Sequence, residues 1–259
     1  LPNAPIVNGA DMAAVEHMRV RDTFVRNPRD GALNPRPACR FENVPLRAAT
    51  PAPALGQHTG ATFLPAADRA VRPPRASGAA ALPFAGLRVL DMTAFWAGPL
   101  TGHLLALLGA EVVHLEAMKR PDGVRFVGGV PQTEEHYLER SPIFAALNTN
   151  KKSLAIDTRS QAGVDLLKRY LATCDVVVEN FTPRVLDQLG LDADTLRAIN
   201  PGLITVRMPG FGLDGPWREV AAFAFVIEDA SGFTWLTGHP DAPPIEPYCI
   251  GDPNAGLHA

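Results

Sequence analysis

Between Leu87 and Phe211 the chain carries five short runs of Val, Ile and Leu, interspersed with stretches that have apolar residues at helical spacing. The runs are LRVLDMT (87–93), EVVHLE (111–116), SLAID (153–157), DVVVENF (175–181) and LITVRMPGF (203–211). Several are apolar at consecutive positions, as strands buried on both faces must be. The pieces GPLTGHLLALLGA, SQAGVDLLKRYLATC, PRVLDQLG and DADTLRAIN gather their apolar residues on one helical stripe. Alternation of strands and helices implies parallel pairing through right-handed crossovers. The pattern predicts an α/β fold with a doubly wound, mostly parallel, Rossmann-like sheet whose ligands bind beyond the strand C-termini.

The rest of the chain has a different texture. Residues 1–60 hold one possible helix, AAVEHMRVRDTFV, followed by proline-punctuated pieces such as NPRPACRFENVPL and ATPAPALGQH. Proline at that density limits helices and central strands, so this part is expected to be extended and to wrap on something else. Residues 61–81, GATFLPAADRAVRPPRASGAA, have little to bury and read as a linker. At 259 residues and 46% hydrophobic content the chain can bury a full core. A formal charge of -3 and a pI near 6.2 supply no basic field, which argues against nucleic-acid and membrane partners. No apolar run reaches the roughly 18 residues of a membrane span, and LPNAPIVNGADM has neither the basic start nor the apolar core of a signal peptide, so the reading is cytoplasmic. Cys39, Cys174 and Cys249 lack C-x-x-C spacing and are odd in number, which indicates neither a disulfide framework nor a zinc site; they are expected to be buried thiols. The chain starts on Leu and ends on what reads as the first turn of a helix, and is read as a fragment.

Candidate chemistry sits at the strand ends. After the first strand, Thr93-Ala-Phe-Trp-Ala-Gly-Pro99 is a tight turn in which Gly98 allows close backbone approach and Pro99 suits a helix start. It lacks G-x-G-x-x-G, which disfavours a dinucleotide-binding protein. Lys119, Arg120 and Arg125 follow the second strand, Asn150, Lys151 and Lys152 precede the third, and Asn180, Phe181 and Arg184 follow the fourth. Each cation alone is an ordinary surface charge; their recurrence along one sheet edge points to a polyphosphate ligand. His103 and His114 read as packed or surface histidines without metal spacing. Phe95, Trp96, Phe223 and Trp235 either line a pocket or belong to the core. Glu228, in the apolar stretch VAAFAFVIEDASGF, either assists chemistry or caps and pairs. No G-x-S-x-G elbow occurs. In PYCIGDPNAGLHA (247–259) an apparent buried strand turns into a small-residue helix at Asp252. Asp252 there is either an N-cap before Pro253 or a reactive group at a strand-to-helix turn, and the two roles are compatible.

Six blocks in order carry a resemblance from about residue 82 to the end: LPFAGLRVLDMTAFWAGPLTGHLLALLGAEVVHLE, LNTNKKSLAIDTRSQAG, CDVVVENFTPRVLDQLGLD, MPGFGLDGPW, SGFTWLTGHPDAPP and GDPNAG. Together they resemble the large, CoA-binding domain of the family III coenzyme A transferases, relatives of formyl-CoA and carnitine CoA-transferases and of α-methylacyl-CoA racemase. The resemblance implies that Asp252, matching the Asp of the family's GD motif, is the nucleophile that forms an aspartyl mixed anhydride and then an aspartyl-CoA thioester. An Asp at a helix start is expected to stay ionised there. The implied CoA contacts are Ala94, Phe95, Trp96, Ala97, Lys151, Asn180 and Phe181; the family often has Arg at the position of Gln188, a charge that Arg184 supplies from one turn away. The substrates are acyl-CoA and a carboxylic acid, with no tightly bound cofactor and no metal. Ala94 and Trp96 stand where formyl-CoA transferase has His and Gln, and with the aromatic residues they favour a bulky or hydrophobic acyl group over formate or oxalate. The racemase branch needs a His that aligns with Phe223, and no His lies between residues 137 and 238, so transfer is favoured over racemisation. A CoA-binding module without turnover is the other alternative. Residues 1–60 are similar to the tail of a family member, which makes the chain the tail of one copy, a linker (61–81) and the large domain of a second (82–259). Family members are interlocked dimers with CoA between large and small domains, implying a homodimer or an intrachain pseudo-dimer. The second copy's small domain and glycine-rich loop are not contained in residues 1–259, which are expected to show the nucleophile without full activity.

Overall fold

A computed structural model describes residues 2–42, 50, 52–57, 59–60, 82–117 and 119–259. The linker expected at 61–81 lies outside the described residues. The five apolar runs form one parallel sheet: β3 (Arg88–Asp91), β4 (Glu111–Glu116), β5 (Lys152–Ala155), β6 (Val176–Glu179) and β7 (Ile204–Arg207), in the order β5-β4-β3-β6-β7. All four pairings are parallel, with Leu90 opposite Val113 and Val177, and Asp91 opposite His114 and Val178. The order reverses between β3 and β6, which opens a crevice at their C-terminal ends.

Side chains alternate faces along a strand, so each sheet face collects its own core. Leu90, Met92 and Val177 point to one side and pack with Leu167 and Leu171 of α4 (Gln161–Leu171), Leu186 of α5 (Arg184–Gln188) and Leu196 of α6 (Ala193–Ile199). Val89, Val112, Val176 and Val178 point to the other side, against Ala106 of α2 (Ala97–Leu107) and Ala110. Burial on both sides of β3, β4 and β6 is why their runs do not alternate in polarity, while the edge strands β5 and β7 are more exposed. The sequence pattern does not mark α3 (Pro142–Asn148), which Ser141 caps by accepting the Phe144 N–H at 3.3 Å.

Two short helices, α7 (Ala224–Ala230) and α8 (Phe233–Leu236), precede the last one, α9 (Gly251–Leu257). Glycines set how closely α9 approaches its neighbours: a Cβ on Gly256 would stand 2.5 Å from the Ala97 carbonyl of α2, and one on Gly251 2.6 Å from the Ala224 carbonyl of α7. Thr101 Oγ1 donates to the Gly256 carbonyl at 3.0 Å across the same contact. Gly256→Val is therefore expected to lose about 1–3 kcal/mol by forcing the helices apart, read as a lower urea midpoint at unchanged slope.

In the N-terminal part the helix expected over AAVEHMRVRDTFV shrinks to a 3-10 turn at Met12–Ala14 and α1 (Glu16–Val20). Asp22 takes a left-handed φ of 50° and ends the helix, after which β-branched and aromatic residues start β1 (Phe24–Arg26), paired antiparallel with β2 (Leu33–Pro35). This segment does lie on something else. His17, 2% exposed, stacks on Trp217 at 5.1 Å and 9°, accepts the Trp217 N–H on Nδ1 (3.1 Å) and donates from Nε2 to the Phe211 carbonyl (3.0 Å). Arg21 pairs with Asp214, and the Val7 N–H donates to the Asp229 carbonyl at 3.0 Å. The N-terminal segment thus packs on the loop after β7 and reaches the end of α7 through Val7. Among the described residues no helix is long and apolar enough to cross a membrane. Of the three thiols only Cys174 is buried; Cys39 is exposed and Cys249 half-buried, contrary to the expectation of three buried groups.

Candidate active site

Asp252 does not cap its helix. No strand precedes it, since residues 247–250 are irregular and Tyr248 is 98% exposed. Helix α9 begins at Gly251, with Ile250 in the cap position and without a side-chain cap bond, so Asp252 is a first-turn residue. Its carboxylate is held by the neighbouring helix. Glu228 of α7, 1% exposed, accepts the Gly251 N–H on Oε1 at 2.9 Å and so fixes the residue before Asp252. Burial pushes the Asp252 carboxyl up to about 6; the Ala224 backbone N–H pulls it down, and the negative charge of Glu228 adds to the rise. Burial therefore outweighs the helix dipole that was expected to keep this acid strong. Replacing Glu228 by Gln keeps an acceptor for Gly251 and removes the like charge. The Asp252 titration point is expected to move down in Glu228→Gln, measured by carboxyl carbon NMR; an unmoved midpoint would remove Glu228 from the electrostatics of the site.

Asp252 stands in a cleft of about 200 Å3 walled by Phe95, Trp96, Val124, Val127, Ile143, Phe223, Ala224, Phe225 and Cys249. Trp235, grouped with the candidate pocket aromatics in the sequence, is not among the lining residues and is 52% exposed on α8. The cleft walls are held by backbone strain and buried acids. Phe95 sits at φ 66°, in the left-handed region that costs an L-residue about 1–2 kcal/mol. Asp122 stabilises that turn by accepting the Phe95 N–H (2.9 Å) and the Val124 N–H (3.1 Å) on Oδ1, which starts the 3-10 turn Gly123–Phe126. The Phe95 ring packs edge-on against Phe223 with centroids 4.9 Å apart. Ser141 Oγ lies 2.9 Å from both the Val124 and Val127 carbonyls and joins the opposite rim to α3. A Pro-Asp-Gly turn at 121–123 is the signal that could have marked this wall; Val124, Val127, Ile143 and Phe225 are ordinary apolar positions in the sequence.

The sequence profile of CoA-transferase family III matches residues 84–259. The chain belongs to this family. It is 41% identical over 189 residues to the succinyl-CoA–D-citramalate CoA-transferase of Chloroflexus aurantiacus, a match covering 73% of the chain and 44% of the relative. Over 175 residues it is 37% identical to the formyl-CoA:oxalate CoA-transferase of Streptomyces avermitilis, covering 67% of the chain and 41% of the relative. Among solved structures, a CAIB/BAIF family protein from Brucella suis superposes with a TM-score of 0.60 at 37% identity, over 68% of this chain and 46% of that one. The Mycobacterium tuberculosis protein Rv3272 gives 0.61 at 34%, over 68% and 48%. The chain thus spans less than half the length of these relatives.

The residues that the sequence resemblance offered as CoA contacts fall into two groups in the fold. Ala94, Phe95, Trp96, Ala97 and Asn180 meet at the switch point: the Asn180 amide accepts the Ala94 N–H (2.9 Å) and donates to the Ala94 carbonyl (2.8 Å), joining the ends of β3 and β6. Phe181 follows directly, its N–H bonded to Glu179 Oε2 at 2.8 Å. Lys151 and Arg184 are placed differently. The Lys151 ammonium is 1% exposed and spends its three donors on Asp91 Oδ2 (2.8 Å), the Pro99 carbonyl (2.8 Å) and Asn148 Oδ1 (2.9 Å). Burial pushes the Asp91 carboxyl up, but the His114 ring and the Lys151 charge outweigh it and hold the group far below its usual range. His114, 3% exposed, brings Nδ1 to 3.3 Å from Asp91 Oδ2 and its ring edge toward Phe144. Arg184 lies on the surface, paired with Glu219 at 3.0 Å with both partners solvated. Among the described residues no cluster of three or more His, Cys, Asp or Glu could hold a metal ion.

Proposed function

We propose that the protein transfers coenzyme A from an acyl-CoA to a carboxylic acid, with Asp252 as the covalent nucleophile. The observation that carries this reading is the position of Asp252: a carboxylate on the wall of an apolar cleft beyond the C-terminal edge of a parallel sheet. Pushed up to about 6, the group is ionised at pH 7 yet poorly solvated, which makes it more nucleophilic than an ordinary surface aspartate. In the first step one Asp252 oxygen attacks the thioester carbonyl and CoA leaves as thiolate, giving an acyl-aspartyl anhydride. The thiolate then attacks the aspartyl carbonyl, releasing the donor acid and leaving an aspartyl-CoA thioester. The acceptor carboxylate attacks that thioester to form a second anhydride, and the thiolate attacks the acceptor's acyl carbon to release the new acyl-CoA and free Asp252. Each step exchanges one acyl bond for another, so water must be kept from the anhydrides. Cleft walls of Phe, Trp, Val and Ile serve that purpose.

Racemisation would need a second base facing Asp252. Among the lining residues only Cys249 and Asp252 titrate, and burial pushes the Cys249 thiol up, which keeps it protonated. Phe223 lines the cleft at the position where the racemase pattern requires a His. These observations favour transfer. The resemblance of residues 1–60 to a family tail, the packing of His17 and Arg21 against the loop after β7, and the interlocked-dimer habit of the family support a two-copy arrangement in which CoA lies between large and small domains.

The test is intact-protein and peptide mass spectrometry of the full natural chain mixed with a panel of acyl-CoAs, quenched in hydroxylamine. A hydroxamate on Asp252 that needs acyl-CoA is expected. Turnover without any modification of Asp252 would overturn the covalent reading.

A further inference from the structure

We infer that the acid exchanged at this site is an apolar monocarboxylic acid, with a side chain about the size of a phenyl ring or a short alkyl tail, and not a dicarboxylate. The inference rests on the proposed transfer reaction and adds its substrate class.

The reacting carbonyl must reach Asp252, so the remainder of the acyl group lies in the cleft that Asp252 shares with Phe95, Phe223, Phe225 and Val127. That space, about 200 Å3, exceeds the ~150 Å3 of an apolar cavity known to accept benzene. Asp252 is the one charged side chain lining it. No cation lines the cleft, and Arg125, Lys151 and Arg184 are committed elsewhere. Arg125, between two lining valines, grips both oxygens of Glu116 (2.7 and 2.8 Å), donates to the Leu138 carbonyl (2.9 Å) and stacks on Phe144 with its guanidinium carbon 3.5 Å from the ring centroid. Lys151 is closed off by Asp91, Pro99 and Asn148, and Arg184 is held at the surface by Glu219. A second carboxylate in the cleft would lose its hydration, find no cation among the lining residues, and face the negative charge of Asp252. An alkyl or phenyl group would instead displace water from Phe and Val side chains. The relatives named above carry names built on citramalate and oxalate, which are dicarboxylic acids; the cleft chemistry of this chain points elsewhere.

The experiment compares isotope exchange between acyl-CoA and its own labelled acid, catalysed by the full natural chain, for hexanoyl-, phenylacetyl-, glutaryl- and succinyl-CoA. Modification of Asp252 is followed in the same reactions. Hexanoyl- or phenylacetyl-CoA is expected to exceed glutaryl- and succinyl-CoA in kcat/KM by tenfold or more, the scale on which apolar pockets discriminate. Equal or faster exchange of glutaryl- or succinyl-CoA, with Asp252 still modified, would overturn the substrate class and leave the transfer reaction standing. Absence of both exchange and Asp252 modification with every donor would overturn the transfer reaction and the inference with it. Val127→Arg supplies an independent readout, because Val127 is 49% exposed at the rim and tolerates a long side chain. The variant, checked for native circular dichroism, is expected to shift the glutaryl-to-hexanoyl ratio toward glutaryl by tenfold or more. An unchanged ratio would mean that the acyl tail does not enter this cleft.

Discussion

Asp252→Asn in the full natural chain is expected to lower CoA transfer by roughly a thousandfold or more, because an amide has no charge with which to open the thioester. Asn preserves shape and leaves the Gly251 N–H bonded to Glu228, so the loss would reflect chemistry and not a displaced α9. The native enzyme should show the same dependence through pH. Ionised Asp252 is the reactive form, and its carboxyl is pushed up to about 6, so kcat/KM should fall about tenfold per pH unit below that point and level off above it. The stability effect has the opposite sign. A carboxyl raised by burial holds its proton in the folded chain at pH values where the unfolded chain has released it, so its contribution to stability declines as pH rises from about 4 to 6. Asp252→Asn should therefore unfold at a higher urea concentration than the native chain at pH 7, while being inactive. Activity within a few-fold of native in Asp252→Asn would remove Asp252 from the reaction.

Lys151→Met is expected to destabilise the fold by about 3–5 kcal/mol, the usual result of removing one partner from a buried ion pair. Asp91 is 0% exposed, and its Oδ2 faces only the Lys151 ammonium and the His114 ring. Without the lysine it must either stay charged with only His114 and Thr93 beside it or take up a proton. The pair keeps Asp91 ionised well below its usual range, so the stability it provides is present at neutral pH and is lost as the solution becomes strongly acidic. Urea denaturation measures the single variant. Lys151→Met combined with Asp91→Asn, which removes both charges and keeps an acceptor for the buried Thr93 N–H (2.9 Å), should recover most of the loss. A native urea midpoint together with a raised KM for acyl-CoA would instead assign Lys151 to the ligand.

The sequence by itself determined the sheet. Apolar runs at 87–93, 111–116, 175–181 and 203–211 contain four of the parallel strands, and the run at 153–157 all of β5 but Lys152, because burial of the central strands on both faces leaves a local, contiguous signature. Four helices between them were legible for the same reason: each needs one apolar stripe. The Asp252 motif and the turn 93–99 stood out because Gly and Pro restrict the backbone locally. The helix over residues 13–25 was misread, since its apolar spacing does not register the left-handed Asp22 or the pull of the Phe24–Arg26 hairpin. Tertiary structure decided the rest. Whether Lys151 reaches solvent depends on Asp91, sixty residues away and brought under it only by the pairing of β3, β4 and β5. Whether Asp252 is a strong or a weakened acid depends on α7, which supplies Ala224 and Glu228 and removes water. The cleft draws one wall from the turn after β3, a second from residues 124–143 and a third from α7. Such a surface has no sequence periodicity, because its residues share a neighbour and not a secondary-structure element. Local patterns encode which groups prefer burial; only chain packing decides which charges are paired, and therefore which carboxylate remains free to react.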